Sequence, residues 1–159
     1  YFVFVGSLHP RKNLSGLFKA FDDFKSRNDF PHQLLIIGNT YWWNNEIKDS
    51  YQNMKYKESV VFSPHLENEK LNNAIASSEA LIYPSFFEGF GIPILEGMSC
   101  EVPVITSNLS SMQEVSNDAA LLIDPYNIES ISQALNTVVC DKKIASELID
   151  KGKQRIQCF

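Results

Sequence analysis

Ala80-Leu81-Ile82-Tyr83-Pro84-Ser85-Phe86-Phe87-Glu88-Gly89-Phe90-Gly91-Ile92-Pro93-Ile94-Leu95-Glu96-Gly97 decides how the rest of this sequence is read. Ala80 to Tyr83 form a short continuous apolar run, the pattern of a buried strand, and Pro84 ends it. Two glycines then bracket Phe90, and Pro93 falls where a helix would begin. Proline is tolerated there because the N–H it lacks would be unpaired anyway. The stretch predicts a strand, a glycine-rich turn and a helix N-terminus, with Glu88 before the turn and Glu96 beyond it. Free amides at a helix start, beside glycines that admit a ligand to the backbone, make a ready anion site. The two carboxylates cannot be the phosphate contacts, because like charges at short range repel. As acceptor-only groups they suit hydroxyl donors instead. Singly, each glutamate fits an ordinary strand–helix turn, with Glu96 complementing the helix dipole. Together, phosphate amides flanked by two diol readers describe a sugar nucleotide.

Outward from this stretch, apolar runs alternate with helical patterns. Strands are expected at 1–6, 33–38, 59–63, 80–84, 102–106 and 120–124. Helices are expected near 13–27, 44–55, 67–78, 92–100, 111–116, 128–140 and 142–157. Continuously apolar strands joined by helices indicate a Rossmann-like three-layer α/β/α domain with a six-stranded parallel sheet. Ligands on such sheets bind outside the carboxyl ends of the strands.

The turn after the first strand is Gly6-Ser7-Leu8-His9-Pro10-Arg11-Lys12-Asn13. Gly6 leaves room for close approach, and Asn13 suits a helix N-cap. Arg11, a bidentate fork, and Lys12, a point charge, stand at the carboxyl edge where a diphosphate needs cations. Two solvated loop charges are the ordinary fate of such a pair; the facing Glu88–Glu96 loop favours function. After the second strand, Gly38-Asn39-Thr40-Tyr41-Trp42-Trp43 allows a backbone contact, and a tryptophan pair reads as packing. Ser63-Pro64-His65-Leu66 follows the third strand, with His65 read as a loop residue.

Composition narrows the function. The chain has 159 residues, 44% of them hydrophobic, which supports one globular domain with a substantial core. Its net charge of -5 argues against a nucleic-acid surface, so an anionic ligand must be held locally. Cys100, Cys140 and Cys158 are far apart and show no metal-ligand spacing, consistent with reduced thiols and no metal site. No run reaches the length of a membrane span. The chain begins inside an apolar strand without methionine, so a domain cut from a longer protein is expected.

In this context Glu88-x7-Glu96 resembles the signature of retaining, GT-B-fold glycosyltransferases related to glycogen synthases and bacterial mannosyltransferases (family GT4). The likeness runs from Val5-Gly6 through Ala134. It implies that 1–159 is the donor-binding half of a GT-B fold, with an acceptor domain preceding it. Gly6 to Asn13 looks like the family's Gly-x4-Arg-Lys-Asn loop, whose cations hold the donor diphosphate; Ser7 stands where many members carry arginine. The resemblance assigns Glu88, Lys12 and Arg11 to catalysis. It assigns Gly6, Gly89, Phe90, Gly91, Ile92 and Glu96 to substrate binding, with Glu88 on donor-sugar hydroxyls and Glu96 on the ribose diol. Ser110-Ser111-x-x-Glu114-Val115 matches a family segment read here as structural.

The implied reaction moves a sugar from a nucleotide-diphosphate sugar, GDP-mannose by the mannosyltransferase likeness, to a saccharide or lipid-linked acceptor in bacterial surface polysaccharide synthesis. No cofactor is implied. The absence of any Asp-x-Asp pair fits metal-independent transfer. The expected location is cytoplasmic, at the inner face of the membrane, with membrane contact left to regions outside this chain. The chain alone is expected to bind nucleotide weakly and transfer nothing. A non-catalytic nucleotide-sugar binding module and a GT-B-fold nucleotide-sugar 2-epimerase are the alternatives.

Overall fold

A computed structural model describes residues 1–27, 29–39 and 41–159; Asn28, and Thr40 of the turn after the second strand, lie outside the described residues. The strands are β1 (Phe2–Val5), β2 (Leu34–Ile37), β3 (Val60–Ser63), β4 (Ala80–Tyr83), β5 (Val104–Ser107) and β6 (Leu121–Ile123). The helices are α1 (Leu14–Arg27), α2 (Asn45–Gln52), α3 (Asn68–Ala76), α4 (Ile92–Ser99), α5 (Ser110–Ser116), α6 (Ile128–Cys140) and α7 (Lys142–Arg155). All strand pairs are parallel, in the order β3-β2-β1-β4-β5-β6. This is the expected Rossmann-like three-layer α/β/α arrangement.

The central strands are apolar on both faces because helices cover both. Phe2, Val3 and Phe4 of β1 and Ala80, Leu81 and Ile82 of β4 are fully buried. Each large side chain so buried is worth about 1.5–3 kcal/mol against exposure. The Phe2 ring meets Phe24 of α1 edge-on, with centroids 5.4 Å apart. α1 packs against α2 and α6, while α4 packs against α3, α5 and α7. The chain reverses its direction of travel across the sheet between β1 and β4, which opens a crevice above their carboxyl ends.

Two expected boundaries shift for identifiable reasons. α2 ends at Gln52 because Asp22 of α1 captures the chain beyond it. The Asp22 carboxylate accepts from Lys55 N at 3.0 Å and from Tyr56 N at 2.8 Å. β5 starts after Pro103, which has no N–H for the ladder, although the Pro103 carbonyl accepts from Leu81 N at 2.9 Å.

Candidate functional site

The loops after β1 and β4 meet over the crevice. Pro10–Lys12 form one 3-10 turn, and Asn13 follows with left-handed backbone at φ 58°. Asn13 is the expected cap of α1: its Oδ1 accepts from Gly16 N at 3.1 Å. Its Nδ2 also donates to the Pro125 carbonyl at 2.7 Å, tying this loop to the one after β6. The loops after β1 and β4 are joined by Phe86 N donating to the Arg11 carbonyl at 2.8 Å.

Lys12 is not a solvated loop charge. It is 6% exposed, and its Nζ lies 2.7 Å from Glu88 Oε1, itself on a residue only 7% exposed. Nζ also donates to the Tyr83 hydroxyl at the end of β4. Burial pushes the Lys12 ammonium below its ordinary value, and the Glu88 carboxylate opposes that shift. Burial, reinforced by Glu88, pushes the Tyr83 phenol far above its ordinary value, so it stays protonated. Arg11 is half-exposed, its Nη2 3.7 Å from Glu88 Oε2. Two cations thus converge on one carboxylate.

The main chain of Glu88 is held by the start of α5. Ser110 Oγ accepts from Glu88 N at 3.1 Å, and the Ser111 hydroxyl donates to the Glu88 carbonyl at 2.8 Å. Ser107 Oγ donates to the Ser85 carbonyl at 2.6 Å, bracing the same loop from β5. Ser110 has a left-handed backbone, φ 50°, a conformation that costs a non-glycine residue about 1–3 kcal/mol and concentrates at functional sites. The serine segment read as structural in the sequence therefore positions a candidate catalytic residue. Its signal was the pair of adjacent hydroxyls; its partner was not legible.

Gly91 N-caps α4 with φ 102°, left-handed geometry that favours glycine. Among the described residues, the amides of Gly89, Phe90 and Gly91 have no hydrogen-bond acceptor, so they remain available as anion donors. The Phe90 ring turns from the crevice toward Phe159, with centroids 5.6 Å apart, so its contribution is its amide.

A cleft of 240 Å³ opens between the turns after β1 and β2 and the start of α4, lined by Gly6, Gly38, His65, Ile92 and Glu96 among others. Gly38 makes it possible: a Cβ there would stand 1.9 Å from the Gly6 carbonyl oxygen. Glu96 lies beyond the first turn of α4, so it is not the dipole complement of that turn. Its Oε2 is buried without a hydrogen-bond partner among the described residues. Burial raises the Glu96 carboxyl above its ordinary range, partly offset by His65. A carboxylate that lines a cleft and keeps one buried oxygen unpartnered is suited to a ligand hydroxyl. His65, read as a loop residue, thus stands at the mouth of this cleft.

A larger concavity of 570 Å³ lies between α1 and α2, but Asp22, Asp23, Glu46 and Asp49 line it, which disfavours a diphosphate. The tryptophans split in role. Trp43 packs against Phe62 at 5.4 Å, whereas the exposed Trp42 meets the His9 ring edge-on at 5.5 Å. His9 Nδ1 accepts from Arg11 N at 3.1 Å, which shapes the cation loop.

Comparison with known proteins bears on this geometry. The family described as glycosyl transferases group 1 matches residues 1–155. The O-antigen chain mannosyltransferase B of Escherichia coli is 34% identical over 132 residues, 83% of this chain and 35% of that protein. The O-antigen chain mannosyltransferase RfbU of Salmonella typhimurium is 29% identical over 138 residues, 87% of this chain and 38% of that protein. The chain therefore spans somewhat over a third of the length of these relatives. A C-terminal domain of a glycosyl transferase group 1 family protein from Francisella tularensis superposes with a TM-score of 0.84 at 18% identity, covering 99% of this chain and 84% of that one. No helix among the described residues is long and apolar enough to cross a membrane.

Proposed function

The chain belongs to the glycosyl transferases group 1 family, and from that premise we propose that it is the donor-binding half of a retaining hexosyltransferase. The donor is a nucleotide-diphosphate sugar, GDP-mannose on the pattern of its mannosyltransferase relatives. The acceptor is a saccharide or lipid-linked chain of a bacterial surface polysaccharide, met at a second domain that closes the crevice and excludes water.

One observation carries this reading: Lys12 and Glu88, from two separate loops, meet at 2.7 Å, and Gly6, which lies against the Lys12 stem, lines the Glu96 cleft. Transfer breaks the bond between the anomeric carbon and a diphosphate oxygen, and the electron pair leaves with the diphosphate. Stabilising that charge is the main catalytic demand. Lys12, Arg11 and the amides of Gly89 to Gly91 meet it without a metal ion. Glu96 takes the ribose diol, and Glu88 takes donor-sugar hydroxyls while keeping Lys12 charged in its buried place. The acceptor oxygen bonds to the same face of the anomeric carbon, and its proton passes to the departing phosphate oxygen, so no protein nucleophile is required. Three free cysteines agree with a reducing cytoplasm, and a lipid-linked acceptor would put the reaction at the inner face of the membrane.

Thermal-shift screening of the intact protein against GDP-, UDP-, ADP- and dTDP-sugars tests the proposal. The matching donor at a hundredfold excess over its Kd stabilises by about 2.7 kcal/mol, a rise of roughly 5–10 °C in Tm. No shift with any of the four would overturn the reading.

A further inference from the structure

A second cleft, of 290 Å³, shares no lining residue with the Glu96 cleft and is walled by Arg11, Ser15, Glu46, Phe86 and Tyr126 among others. Arg11 apart, none of these walls enters the donor reading. Tyr126 is 72% exposed, yet its loop is fixed. The Tyr126 N–H donates to Asp124 Oδ1 at 2.9 Å, and Pro125 is tied to Asn13, the residue that follows Lys12. The Tyr126 ring stacks on Phe86, centroids 4.8 Å apart and planes 24° apart. One ring face is thereby covered while the residue remains largely open to solvent, which makes a rigid aromatic platform.

The chemistry around the platform selects a ligand class. A guanidinium and a carboxylate share the cleft, so it carries no net charge to attract an anion, and Glu46 disfavours a second diphosphate. A pyranose ring matches both features. Its C–H face lies on an aromatic ring as apolar surface, and its hydroxyls donate to a carboxylate and accept from a guanidinium. The cleft also touches the donor site, because the Arg11 guanidinium lies 3.7 Å from Glu88 and the Arg11 carbonyl holds Phe86 N at 2.8 Å.

We infer that the cleft between Arg11, Glu46 and Tyr126 is a subsite for one neutral pyranose ring of the saccharide acceptor, the remainder of which is held by the second domain. Calling the sugar an acceptor rests on the proposed transferase reading; sugar binding at Tyr126 does not.

The test titrates α-mannotriose, and separately GDP, into the protein and its variants while following backbone amide NMR shifts. Mannotriose is expected to move the amides around Tyr126. Tyr126→Ala should weaken it ~10-fold, equivalent to about 1.4 kcal/mol, with GDP affinity unchanged, and Tyr126→Phe should bind as the parent does. Thermal unfolding of both variants checks that this exposed position leaves folding intact. Absence of mannotriose binding, equal binding by Tyr126→Ala, or shifts at Tyr126 caused by GDP instead would each overturn the inference. If GDP fails to bind while mannotriose still needs Tyr126, the donor reading falls and the sugar subsite stands.

Discussion

Glu88 and Glu96 belong to one motif, the first in the loop after β4 and the second within α4, yet the fold treats them oppositely. Glu88 is 7% exposed and already neutralised, its carboxylate against Lys12 and Arg11 and its main chain clamped by Ser110 and Ser111. Glu96 lines an open cleft and keeps one buried oxygen without a hydrogen bond or an ion-pair partner among the described residues, whereas Glu88 Oε1 has Lys12 at 2.7 Å. The first carboxylate is part of the protein's own electrostatic framework; the second is held ready for something the protein does not supply. A buried ion pair is costly to break because the surviving charge is stranded in low dielectric. An unpaired acceptor is costly to keep, and a ligand relieves it.

Breaking the Glu88 side should have the largest effect. Glu88→Ala is expected to abolish transfer by the full-length protein and to destabilise the fold by about 3–5 kcal/mol, read from urea unfolding. The double variant Lys12→Met with Glu88→Leu removes both charges and should be markedly more stable than Glu88→Ala alone. Equal losses would show that the pair is uncoupled and would dissolve the contrast between the two glutamates.

On the other side, Glu96→Gln should weaken donor binding by about 1.5 kcal/mol, roughly tenfold, by isothermal titration. Its effect on stability has the opposite sign from that of Glu88→Ala. Because burial raises the folded-state pKa of Glu96, the folded protein holds a proton that the unfolded chain releases. This contribution therefore reduces stability as pH rises from the ordinary carboxylate value through the raised one. Glu96→Gln lacks that titration, so its stability relative to the parent should improve across the window and then level off. Paired urea midpoints from pH 4 to pH 8 measure it; a constant difference would contradict the assignment.

A smaller effect is expected from Ser111→Ala, which removes one hydrogen bond to the Glu88 carbonyl at a cost of about 1 kcal/mol. If the clamp serves Glu88, kcat should fall while the donor KM changes little. The smallest effect belongs to an exposed pair. Lys142 is 70% exposed and bonds Glu79 at the surface, so Lys142→Ala should cost less than about 1 kcal/mol and leave transfer untouched.

Legibility differed between fold and site for physical reasons. The strands and helices were visible because a sheet covered on both faces demands continuous apolar runs, and Ala80 to Tyr83 or Leu34 to Ile37 permit little else. Asn13 was recognisable as a cap because capping is local. Asp22 ending α2, by contrast, acts on Lys55 and Tyr56 from another helix and leaves no mark near them. Tyr83 looked like one more apolar residue closing a strand, although its hydroxyl bonds Lys12. Ser110 and Ser111 looked like an ordinary helix start. Tyr126 drew no notice because an exposed loop tyrosine is unremarkable until Phe86 is found stacked on it.

The sequence by itself determined a parallel α/β sheet and, through strand polarity, that Gly6, Arg11, Lys12, Glu88 and Glu96 lie near its carboxyl edge. Those properties follow from periodicity and turn chemistry, which act over a few residues. Only the tertiary structure decided that β1 lies beside β4, with Phe2 opposite Ala80 and Val3 opposite Leu81. That adjacency joins Lys12 to Tyr83 and Glu88, leaves Glu96 alone, and assembles the Tyr126 platform. Sheet order is set by the burial of whole faces, so no local stretch of sequence encodes it.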